Sequence, residues 1–156
     1  LIVWQIPLLD RVYLENRNLV FHKVYGDRGA IWAFVDKNSG AGKRIAYVGL
    51  FYNYTLRGGH LQNTVVYQSV NSPEVLPVHE YPRRRIPAPW TLPQIESVYR
   101  SNPSVEIWLR GLISGNVDWI VVNNASEAIE KTWIRDRPEQ FRLIYGNSYG
   151  AVYAFH

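Results

Sequence analysis

The 156-residue sequence contains neither cysteine nor methionine. Without cysteine there are no disulfides and no thiolate metal sites, and the redox compartment cannot be inferred from that count. The lack of methionine, with Leu1 in first place, sets the expectation that the chain derives from a longer polypeptide. Charge is sparse too: 19% of residues are charged against 47% hydrophobic, a globular composition that argues against general disorder. Long apolar runs are missing. The opening LIVWQIPLL is broken by Gln5 and Pro7 and falls short of the roughly 20 residues of a membrane helix. It has no basic leader or small-residue cleavage site, so it does not read as a signal peptide. Two readings stay open for it, a buried element or the trailing end of a membrane or interfacial segment. Motifs of hydrolytic and metal chemistry are absent as well. His22, His60, His79 and His156 form no HExxH and no pair four apart, and Ser69, Ser97 and Ser114 lie in no G-x-S-x-G context. No metal site, cofactor or catalytic residue is therefore expected. Asp36, Asp118, Glu127, Glu130 and Asp136 carry no acid–base motif, and Asp118 reads as a cap before a strand.

What is present fits one domain of common size, able to bury about 68 to 70% of its unfolded surface. The net charge of +4 suits anionic headgroups or phosphates and falls short of a nucleic-acid signature. Its densest patch is Arg83, Arg84 and Arg85 within YPRRRIPAPW, a run in a proline-rich excursion that includes Pro73, Pro77, Pro82, Pro87, Pro89 and Pro93. Proline fixes φ and removes donors, so this stretch reads as an extended surface loop with Trp90 as an aromatic anchor, or as a phosphate contact by clustered guanidinium groups.

Arg44–Gly49 (RIAYVG) and Asn63–Ser69 (NTVVYQS) read as two interior strands. Between them Phe51, Tyr52, Tyr54 and Leu56 lead into Arg57, Gly58, Gly59 and His60, a loop expected at the end of the first strand, where open α/β sheets place their ligands. Upstream, residues 10–25 suit a helix followed by an extended stretch, and Ala30–Asp36 a short helix capped by Asp27. SGAGKR at Ser39–Arg44 resembles a phosphate loop but precedes a strand and lacks Ser or Thr after its lysine, which makes it a turn. Leu92–Gly115 divides at Ser101, Asn102 and Pro103 into two helices, the second capped by Asn102 or Ser104 with Glu106 in its first turn. Val117–Asn123 reads as a buried strand, Ala125–Arg135 as a helix, and Phe141–Tyr145 with Ala151–Phe155 as a hairpin. The fold class expected is α/β, a two- or three-layer Rossmann-like domain with a mostly parallel sheet and an antiparallel C-terminal hairpin. Residues 1–29 are expected to form a membrane-proximal or connecting segment, and residues 30–156 the single α/β domain.

The segments RIAYVG, YTLRGGHLQNTVVY, GNVDWIVV and EKTWIRDRPEQFRLIYGNSYGAVYAF, in that order over Ile31 to Phe155, resemble the C-terminal soluble region of phospholipid-carrier-dependent membrane glycosyltransferases related to protein mannosyltransferases. The last is the most specific, with Trp133, Pro138, Phe141, Leu143, Tyr145, Val152 and Tyr153 falling in order after a strand containing Asp118. The resemblance implies an extracytoplasmic, membrane-associated domain beside a polyprenyl-phosphate sugar or glycan. Its partner would be the membrane portion of the same protein or a membrane assembly. The catalytic acidic residues of such proteins lie in the membrane portion, so none is carried over to this chain.

The function expected is that of a non-catalytic domain positioning acceptor, partner or catalytic loops. The alternatives are a self-contained α/β module binding a phosphorylated sugar or nucleotide, and an accessory subunit of a membrane assembly. Candidate ligand-binding residues are Tyr52, Tyr54, Arg57, His60, Arg83, Arg84, Arg85 and Trp90. Asn53-Tyr54-Thr55 and Asn124-Ala125-Ser126 match the N-glycosylation acceptor pattern.

Overall fold

The computed structural model describes residues 6–49, 53–71, 100 and 102–156, and for 6–15, 18, 22 and 53 the backbone alone. The first element, α1 (Ile6–Asn38), is helical on both sides of Gly26, whose φ of 52° and ψ of −130° are not. In a straight helix Arg17 and Asp36 would stand roughly 28 Å apart. Instead Arg17 Nη1 lies 3.5 Å from Asp36 Oδ2, and the rings of Phe21 and Tyr25 pack edge-on against Trp32 at 5.3 and 5.1 Å. α1 is therefore a helical hairpin folded back at Gly26, a backbone conformation that glycine adopts without a Cβ penalty. The two arms touch closely at Gly29, where a Cβ would stand 1.9 Å from the Phe21 carbonyl oxygen.

This corrects the extended stretch expected before Tyr25, which is helical. Leu19, Val20, Lys23, Val24 and Tyr25 are exposed, so the first arm does not separate apolar from polar faces cleanly and its sequence carries a weak helical period. Asp27, expected as a helix cap, instead accepts a hydrogen bond from the Ser148 hydroxyl.

From α1 the chain enters β1 (Arg44–Val48), then α2 (Asn53–Leu56) and β2 (Thr64–Val66). After the proline-rich excursion come α3 (Val105–Ser114), β3 (Trp119–Asn123), α4 (Glu130–Arg135), β4 (Phe141–Gly146) and β5 (Gly150–Phe155). The five strands form one mixed sheet in the order β2-β1-β3-β5-β4. β1 runs parallel to β2 and to β3, while β5 is antiparallel to β3 and to β4. The α/β class and the C-terminal hairpin follow the sequence reading. One strand does not: among the described residues β2 is an edge and not an interior strand, short and only partly buried, because β1 is its single partner. The expected helix Ala125–Arg135 is also shorter, since Asn123 Oδ1 accepts from the Ala125 amide and the Ser126 amide donates to the Asn123 carbonyl, holding a turn ahead of α4.

Helices cover both faces of the sheet. On one, Ile31, Trp32 and Val35 of α1 and Leu56 of α2 pack on Ile45, Tyr47, Trp119, Val121 and Val152. On the other, Trp108 and Leu112 of α3 and Ile134 of α4 pack on Ala46, Val48, Ile120 and Val122. Neighbours along β1 and β3 point to opposite faces, and both faces are dry, so each strand reads as an unbroken apolar run. Burying each such large side chain contributes about 1.5–3 kcal/mol. Ser104 is the residue that caps α3, accepting from the Ile107 amide. The expected helix over residues 92–101 lies outside the described residues except for Arg100.

Candidate functional site

The loop after β1 does not gather its candidates at one end of the sheet. α2 carries the chain from the carboxyl end of β1 back to the amino end, where Thr64 starts β2 opposite Arg44 and its amide donates to the Lys43 carbonyl at 2.8 Å. Tyr54 on α2 is 71% exposed, and Leu56 beneath it is fully buried. Arg57 and His60 are exposed at the amino end of the strands. There the Gly59 amide donates to Asp36 Oδ1 at 2.5 Å and the His60 amide to Gln62 Oε1 at 3.0 Å. Buried Asn63 accepts from the Lys43 amide at 2.9 Å and donates to the Leu56 carbonyl at 2.9 Å. These bonds make the turn a braced connection. Tyr52, Arg83, Arg84, Arg85 and Trp90 lie outside the described residues.

Several carboxylates are held by backbone amides and basic side chains. The Asp36 side chain, 4% exposed, binds Arg17 of the first α1 arm as well as the Gly59 amide. Asp118 Oδ2 accepts from the Arg44 amide at 2.8 Å, and its Oδ1 stands 3.6 Å from Lys43 Nζ, so it ties the start of β3 to the start of β1 as a capping carboxylate does. Glu130, in the first turn of α4 and 0% exposed, receives both Arg100 guanidinium nitrogens at 2.5 and 2.8 Å. Arg100 Nη2 also donates to the Tyr67 hydroxyl at 3.0 Å. Burial works to lower the Arg100 pKa, but the hydrogen bonds and negative charge of Glu130, with Tyr67, outweigh it and hold the guanidinium above its ordinary value. This bidentate pair ties Arg100, ahead of α3, to α4, and the Tyr67 hydroxyl links the residue after β2 to the same guanidinium. Among the described residues no group of three His, Asp or Glu side chains is placed to hold a metal ion.

An open cleft of about 480 Å³ lies at the other end of the sheet, between the α1 bend, the turn after β3 and the β4–β5 turn. Val24, Tyr25, Asp27, Arg28, Ser148 and Tyr149 line it. The bend and the hairpin turn are tied together. Asn147 Nδ2 donates to the Asp27 carbonyl at 2.7 Å, Ser148 Oγ donates to the Asp27 carboxylate, and the Arg28 guanidinium lies 4.8 Å from the Tyr149 ring centroid. Asn124, beside it, donates its amide to the carbonyls of Asn147 and Ser148 at 3.1 and 3.4 Å, so this sequon side chain also braces the turn.

Sequence reasoning read Asp27 as a cap and Asn147–Tyr149 as turn residues. No local signal could have joined them, since Asp27 and Ser148 are 121 positions apart. No helix among the described residues is long and apolar enough to cross a membrane. Comparison with protein-family models, curated proteins and solved structures finds no match.

Proposed function

We propose that this chain is a non-catalytic, extracytoplasmic domain of a membrane glycosyltransferase-like protein, positioning the acceptor, a partner or the catalytic loops of the membrane portion. The family part of the reading rests on the ordered segments RIAYVG, GNVDWIVV and FRLIYGNSYGAVYAF, which are the successive strands β1, β3 and the β4–β5 hairpin. A parallel β2-β1-β3 group with helices on both faces is what a Rossmann-like domain would build. The positioning part rests on one observation: the carboxylates Asp36, Asp118 and Glu130 are bound to amides and basic side chains that join elements of the scaffold. What that scaffold frames is an open cleft at the carboxyl end of the parallel strands. A braced frame of this kind suits a binding surface, and these three carboxylates are committed to holding it.

The test is fractionation of the native source with an antibody raised against residues 102–156. The reading expects a polypeptide much larger than 156 residues, retained in carbonate-washed membranes, whose epitope is digested by protease added from the extracytoplasmic side. A soluble species no larger than the chain itself would overturn it.

A further inference from the structure

We infer that the cleft between the α1 bend and the β4–β5 turn is a binding site for a neutral saccharide. It stands on the cleft's own geometry, whatever the size of the parent polypeptide. Three features carry it. The volume of about 480 Å³ is within the range of small-molecule sites. The lining pairs opposite capacities side by side, since the Asp27 carboxylate only accepts hydrogen bonds and the Arg28 guanidinium only donates them. The Ser148 hydroxyl, beside them, gives its proton to Asp27 and keeps acceptor capacity for a ligand.

An anion would meet Asp27 and a cation would meet Arg28, so neither sign is favoured by the pair. A ligand rich in hydroxyl groups, each both donor and acceptor, satisfies the two together. The lining is also apolar in part: Tyr25, 47% exposed, and Val24, 65% exposed, offer a surface against which the C–H face of a pyranose can lie. The third feature is preorganisation. Asn147 and Ser148 hold Asp27, and Arg28 rests over the Tyr149 ring, so the polar groups are ordered before a ligand arrives and little further ordering opposes binding.

The experiment is titration of the uniformly ¹⁵N-labelled chain with methyl α-D-mannopyranoside, methyl β-D-glucopyranoside and N-acetylglucosamine, followed by amide chemical shifts. For a ligand of about a dozen heavy atoms in an open cleft, a dissociation constant on the order of 1 mM is expected. The shifts should be confined to residues 24–28, 125 and 147–149. Arg28→Gln should weaken binding by about 10-fold, the loss of a charged hydrogen bond. Val24→Trp, which fills the mouth from an exposed position and leaves packing intact, should abolish it. Ile113→Ala, on the far face of α3, should leave it unchanged. Two results would overturn the inference: no localised shift with any of the sugars at 50-fold above the expected constant, or tighter binding of inorganic phosphate or an acidic peptide at the same amides.

Discussion

The pair Arg100–Glu130 gives the sharpest test of how this scaffold is held. Glu130 is fully buried and the Arg100 side chain is 11% exposed, with two nitrogens on the two carboxylate oxygens. In Glu130→Gln the amide oxygen keeps one of these bonds, but its NH₂ faces a guanidinium N–H, donor against donor, and the buried positive charge loses its counter-charge. Removing one partner of a buried pair costs about 3–5 kcal/mol; the retained bond favours the lower figure. For a chain of this length about 3 kcal/mol corresponds to a fall in Tm of roughly 10 °C. Urea unfolding followed by tryptophan fluorescence measures the loss directly, because Trp108 and Trp133 are in ring contact in the core beneath α3 and α4. The companion variant Arg100→Met/Glu130→Leu removes both charges together. It should return to within about 1 kcal/mol of the native chain or exceed it, since two charges need no longer be desolvated. A Glu130→Gln protein as stable as the native chain, or a double variant no better than the single one, would refute the assignment of a buried, mutually dependent ion pair.

Other outcomes follow from the same geometry. Gly29→Ala forces a methyl group against the Phe21 carbonyl, with backbone on both sides and nothing flexible to yield; a loss of about 3 kcal/mol or more in urea unfolding is expected, and a neutral result would mean that the α1 arms are not packed there. Asp36→Ala removes the acceptor of the Gly59 amide and the partner of Arg17, so the Gly59 amide should exchange with solvent at least 10-fold faster, for about 1.5 kcal/mol or more of lost local stability; unchanged exchange would show that Asp36 does not brace the turn. The Glu106 carboxyl is held below the ordinary carboxylate range by its own amide, by Ser104 and by the charge of Arg137. Its folded-state pKa is the lower one, so its support of the α3 start is present above the unfolded value and is lost as pH falls through the folded value. An NMR titration should show this carboxyl protonating below ordinary exposed glutamates, and the shift should shrink in Ser104→Ala.

How much was legible differs from element to element. β1 and β3 announced themselves because strands buried on both faces are short unbroken apolar runs ended by glycine or asparagine. The hairpin was readable from its turn, where Asn147 Oδ1 accepts from the amides of Tyr149 and Gly150. The cap of α3 narrows to two residues in the sequence, and Ser104 takes the role while the Ser104 amide donates to the Val70 carbonyl and the Asn102 amide to Asn71. Legibility failed where a residue's role depended on a distant neighbour. NTVVYQS has an interior strand's composition, yet its place at the sheet edge is set by which strands follow later in the chain. The sequence places the loop of Arg57 and His60 at the carboxyl end because α2, a single turn, gives too little pattern to show that the chain reverses direction before the glycines.

The sequence by itself determined the class of the molecule: an α/β domain with a parallel core and an antiparallel close, because hydrophobic period and turn chemistry are local properties written into consecutive residues. Only the tertiary structure decided that α1 doubles back, that Asp36 and Glu130 serve the scaffold, and that Asp27 and Arg28 meet Ser148 and Tyr149 around a cleft. Each of those outcomes is a meeting of side chains and backbone across long stretches of chain. The free energy that selects such a meeting belongs to packing and desolvation in the assembled core, which no window of neighbouring residues contains.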